Sequence, residues 1–101
     1  MKLYHCCPSY LYEKQVTEEG FVPQYKCIFL ANTPKVSVRG HQRKGVSMMS
    51  VVEFNIDESE VEKHQTDLSE NFCDTYYVLR TKVVPHNKFE LLHILVMKGG
   101  E

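Results

Sequence analysis

Residues 46–56 place the tightest constraint on what this chain can fold into. Val46, Met48, Val52, Phe54 and Ile56 recur in one phase, broken only by Ser50. Ser47, Glu53 and Asn55 occupy the other. A period of two excludes a helix over this stretch and predicts a β-strand with one wet face. The other apolar segments fit a sheet around it. Residues 2–7 predict a first strand, ended by Pro8-Ser9. Cys27-Ile28-Phe29-Leu30-Ala31 predicts a compact buried strand. Residues 75–84 are rich in β-branched and aromatic side chains, and residues 89–97 are apolar in both phases, which predicts a central strand. Pro85-His86-Asn87-Lys88 between them is a turn signal, so the two segments read as a β-hairpin.

Helix signals are short. Ser9 is placed to cap a helix over residues 10–18, with Leu11 and Val16 toward the core and Gly20 as its stop. Thr33-Pro34 has the form of an N-cap followed by proline at the first helical position. Ser59-Glu60-Val61-Glu62 fits a capping box, and residues 65–73 are polar and read as a surface loop. The sum is an α+β domain spanning residues 1–101: a small mixed or antiparallel sheet of about five strands with two or three short helices. The strand–helix alternation of a doubly wound parallel sheet is absent, as are internal repeats.

Composition narrows the function classes. The 101 residues suit one domain with a modest core, and a formal charge of −1 gives no global field for nucleic acid or an anionic membrane. No apolar run approaches the roughly 18–20 residues needed to span a bilayer, so no membrane association is expected. The opening Met1-Lys2-Leu3-Tyr4-His5 lacks the apolar core of a signal peptide, and a cytoplasmic location is the expectation. Cys6, Cys7, Cys27 and Cys73 form no Cys-x-x-Cys, which removes the usual zinc and redox spacings and leaves reduced, buried thiols as the expected state.

Few residues carry a chemical signal. His5, at the end of the first strand, can donate to a ligand hydroxyl or carbonyl; the simpler reading is a half-buried, satisfied histidine. Arg39-Gly40-His41-Gln42-Arg43-Lys44-Gly45 is the one concentrated basic stretch, and glycines beside cations suit a phosphate. A solvated loop is the commoner outcome. No P-loop pattern is present, and nucleic-acid binding through 39–45 is not favoured without aromatic platforms. Tyr76 and Tyr77 point to opposite sides of one strand, so one belongs to the core and the other can line a cleft, with Arg80 further along. Asp57, Glu58, Glu60 and Glu62 read as a solvated turn rather than a general base. The scattered histidines and cysteines point to no metal site, and no glycine-flanked motif supports a cysteine nucleophile.

The order of these pieces resembles a compact ADP-ribosyltransferase-like domain. Leu3-Tyr4-His5 and Gly20-Phe21-Val22-Pro23 match the opening of such domains, Ile28-Phe29-Leu30-Ala31 with Thr33-Pro34 matches the second strand, and Val83-Val84-Pro85 with residues 89–96 matches the ending. The resemblance implies NAD in a cleft between two half-sheets, with His5 on the dinucleotide. It places a nicotinamide-flanking residue near Asn32 or Thr33, with Tyr76 stacking on the ring and Arg39, Arg43 or Arg80 on phosphate. The family's catalytic glutamate has no counterpart: the comparable stretch is Asp74-Thr75-Tyr76-Tyr77, and Asp74 is one methylene shorter. The expected function is binding of NAD or a related nucleotide, with ADP-ribose transfer to a protein or nucleic acid open. The alternative is a non-catalytic protein-binding module, such as a small inhibitor of a cellular or host protein.

Overall fold

The computed structural model describes residues 1–34, 48–65 and 75–96. Strand β1 (Lys2–Pro8) pairs antiparallel with β5 (Met48–Asn55), and β5 pairs antiparallel with β8 (Phe89–Val96), giving the order β1-β5-β8. A second antiparallel sheet runs β4 (Cys27–Leu30), β7 (Thr75–Arg80), β6 (Val61–Gln65) in the order β4-β7-β6. Two short strands, β2 (Val16–Thr17) and β3 (Gly20–Phe21), form a third. The helix α1 (Ser9–Gln15) follows β1 directly.

The α+β expectation is therefore corrected. Among the described residues strands take 58% and helical turns 19%, with one helix and three small antiparallel sheets, so the architecture is mostly β. Two local reasons account for the difference. The capping-box segment yields only a 3₁₀ turn over Glu58–Glu60, with no side-chain cap at Asp57, and the chain then enters β6 at Val61. The first helix stops at Gln15, because Val16 and Thr17 pair with Phe21 and Gly20. Ser9 is not its cap: Pro8 takes that place, and the Ser9 hydroxyl bonds the Ser50 hydroxyl at 2.9 Å inside the protein. Pro34 is helical, and the segment after it lies outside the described residues.

The expected hairpin between residues 75–84 and 89–97 does not form. β7 and β8 lie in different sheets, joined through a bridge at Val84 and a 3₁₀ turn over His86–Lys88. Among the described residues β8 is an edge strand, not a central one. Its apolar run in both phases has a simple cause: Val52 pairs with Leu91 and Val51 with His93, so Leu92 is an inserted residue that shifts the phase. Phe89, Leu91, Ile94 and Val96 then share one face, while Glu90, His93 and Leu95 share the other. β5, expected to have one wet face, lies between two strands, and Val52 and Phe54 are buried on one side of it as Met49 and Val51 are on the other.

One core draws on both large sheets. Leu3, Val52 and Phe54 come from the first, Ile28, Leu30, Tyr77 and Leu79 from the second, and Phe21, Ile56 and Val84 complete it. Phe21 sits edge-to-face on Phe54 at 5.4 Å and on Phe89 at 5.8 Å. Its position depends on Gly20. The backbone there has φ +138°, and a Cβ would collide with the Val84 carbonyl oxygen, so only glycine lets β3 lie against Val84. Among the described residues no helix is long and apolar enough to cross a membrane.

Candidate functional site: the split between β1 and β4

The two large sheets meet where β1 runs beside the end of β4. Tyr4 and Ala31 exchange both backbone hydrogen bonds, each 2.8 Å. Among the described residues no other backbone hydrogen bond joins β1 to the β4 segment. One residue on, the strands part, and the His5 side chain enters the gap. Its Nδ1 lies 3.0 Å from the Phe29 carbonyl oxygen. A carbonyl only accepts, so Nδ1 carries the proton, and in the neutral ring Nε2 is an acceptor. Edge-on contacts with Phe21 at 6.1 Å and Phe54 at 6.5 Å hold the ring in place.

The gap opens into a cavity of about 160 Å³. β1 supplies His5, Cys6, Cys7 and Pro8, β4 supplies Cys27, Ile28 and Phe29, α1 supplies Leu11 and Gln15, and Phe21 and Pro23–Tyr25 complete the wall. The volume is below the roughly 300 Å³ at which drug-sized ligand pockets begin, so it suits one ring rather than a whole dinucleotide. Among the described residues no Asp or Glu lines it. Burial pushes the Cys6 thiol up to about 12. Burial, with a smaller contribution from Cys6, does the same to Cys7. Neither presents a thiolate near neutral pH, which removes both as nucleophiles. Among the described residues no three His, Cys, Asp or Glu side chains converge on a metal position.

The other expected site residues are distributed unevenly. Tyr76, on β7, lies with its ring 6.0 Å from Phe29 and stacks on His64 at 5.2 Å. It thus reaches the cavity wall through Phe29 and does not itself line the cavity. Tyr77 faces the core, as one of the pair was expected to. Thr33 lies two residues past the Ala31 bridge, outside the cavity lining. Arg80 pairs in register with Cys27, but its Nε donates to Glu62 at 2.6 Å, and that hydrogen bond and charge hold the exposed guanidinium protonated. It lines a different hollow of about 390 Å³, with Glu60, Thr81 and Lys88. Asp74, Arg39 and Arg43 lie outside the described residues.

No family model, curated protein or solved structure matches the chain. The site is therefore read from its own geometry. Sequence reasoning missed Gln15, Gln24 and Tyr25 as wall residues. No local signal marks them, since a glutamine ending a short helix looks the same whether it faces water or a cavity. Phe29 was visible only as part of an apolar strand.

Proposed function

We propose that this protein binds NAD or a related nucleotide, the ring end entering the split between β1 and β4. One observation carries the reading: His5 stands where two half-sheets, joined among the described residues by the Tyr4–Ala31 bridge, separate around a ring-sized cavity. This is the placement that the resemblance to ADP-ribosyltransferase-like domains implies for the first-strand histidine. The rest of the dinucleotide would lie outside the cavity, along the surface. Transfer of ADP-ribose needs a carboxylate to stabilise a developing oxocarbenium centre, and the described residues of the cavity lining supply none. Binding is the core of the proposal, and transfer would draw its carboxylate from beyond that lining.

Calorimetric titration of the chain with NAD, followed by mass spectrometry of the same sample for released nicotinamide, separates these cases. Binding is the expected result, and nicotinamide release would add turnover. No heat and no release from folded protein would contradict the proposal.

A second reading, a module that docks on a protein, is favoured by β8. This edge strand exposes Leu91, Leu92, Ile94 and Val96, whereas an edge strand of the second sheet, β6, carries Glu62, Lys63 and His64. Charged edges resist strand pairing, and an apolar edge accepts an added strand from a partner. Failure to bind NAD would leave this reading standing. Loss of a partner's strand contacts in Ile94→Lys would then be its test.

A further inference from the structure

Among the described residues no strand pairs with the outer edge of β8, and the ladder behind it fixes which backbone groups are left over there. Met1 and Ile56 exchange both backbone hydrogen bonds, each 2.9 Å, while Tyr4 turns its own toward Ala31. Bonding alternates along an antiparallel strand, so Phe54 and Val52 bond β1, and Glu53 and Val51 bond β8 at Glu90 and His93. Phe89 and Ile94 therefore turn their N–H and C=O groups outward.

The inserted Leu92 has a second consequence. It puts Phe89 and Ile94 on one face and Glu90 and His93 on the other, although an odd number of positions separates each pair. From the midpoint of Leu91 and Leu92 the strand then reads alike in both directions: a leucine, a polar side chain, an apolar one. Laid antiparallel on itself about that midpoint, it sets Glu90 opposite His93 twice and Phe89 opposite Ile94 twice, with leucine against leucine. The carboxylate accepts from the imidazole N–H, and Phe89 and Ile94 meet with outward backbone groups on both sides. In a strand without the bulge this register would oppose side chains from different faces. Leu91, Leu92 and Ile94, 36–47% exposed, would be covered by it.

We propose that β8 pairs antiparallel with β8 of a second copy of this chain, joining the two sheets in the order β1-β5-β8-β8-β5-β1. The inference is independent of the nucleotide reading. It rests on the docking reading of β8 and names the occupant, because the charge complement of Glu90 lies on the same strand.

Sedimentation equilibrium of the full chain at about 10–100 μM tests it. The expected mass is twice the 11.8 kDa of one chain. Ile94→Pro removes an outward N–H and leaves the bonds to β5, so the mass should fall to that of one chain with an unchanged circular dichroism spectrum. Glu90→Lys sets a cation against His93, and His93→Glu sets a carboxylate against Glu90. With two such pairs in each dimer, either change should weaken association about tenfold, and the two together should restore it. A folded monomer at about 100 μM, a dimer that survives in Ile94→Pro, or a double variant no tighter than the single ones overturns the inference. A monomer leaves the docking reading intact for a different protein's strand; that reading fails instead if a bound partner's contacts persist in Ile94→Lys.

Discussion

On either side of the Tyr4–Ala31 bridge the same two strands are built to different ends. On the Leu3 side the chain closes inward: Leu3, Phe54 and Ile56 are 0–2% exposed. On the His5 side a side chain, not the backbone, spans the strands, a cavity remains, and Gln15 keeps an unpaired oxygen. The first arrangement maximises burial. The second gives up packing and hydrogen bonding at a fixed place, which a small domain with a modest core retains only at some cost to stability. The difference teaches where to look for function: it lies where a tightly paired sheet stops pairing.

Substitutions should separate the two sides. The largest effect is expected at Phe21→Ala, which empties the aromatic cluster shared by β3, β5 and β8. About 3–5 kcal/mol of stability should be lost in urea denaturation. A loss under ~1 kcal/mol would mean that this core is not what holds the sheets together. The next concerns Cys6 and Cys7. Both thiols titrate higher in the folded protein than the ordinary value near 9.0. Their unfolded forms release protons first, so the stabilisation is complete below pH ~9 and falls as pH rises from about 9 toward 12. Denaturation midpoints across that range, compared with Cys6→Ala/Cys7→Ala, should show this dependence shrinking in the double variant. The smallest stability effect is expected at His5→Ala. It removes the hydrogen bond to the Phe29 carbonyl and the edge-on ring contacts with Phe21 and Phe54 and should cost about 1–2 kcal/mol, yet abolish NAD binding measured by calorimetry. Retained affinity in that folded variant would erase the functional distinction between the two sides.

Strand positions were more legible in the sequence than strand partners. β1, β4 and β5 fall where apolar runs and period-two alternation placed them, because those signals are local. The partners of β7 and β8 are not local, and a turn motif between adjacent strands cannot tell a hairpin from a crossing between sheets. The inserted Leu92 turned a one-faced edge strand into what read as a two-faced central one. The capping box at Ser59 marked one helical turn and nothing longer. Its motif needs only one turn, and Val61–Gln65 then joins β7 as a strand. At the site, His5 was legible because histidine at the end of a first strand carries chemistry. Arg80 was also singled out, but Glu62 holds it at another hollow. Gln15 was silent, since lining a cavity leaves no local mark in the sequence.

The most direct test of the account is an amide ¹H–¹⁵N correlation spectrum of the protein, recorded as NAD is added. The account predicts shifts concentrated on the open side of the bridge, at His5, Gln15, Tyr25 and Phe29, with Leu3, Phe54 and Ile56 little changed. Shifts centred on Thr81 and Lys88 or along β8, or a spectrum that does not change, would contradict it.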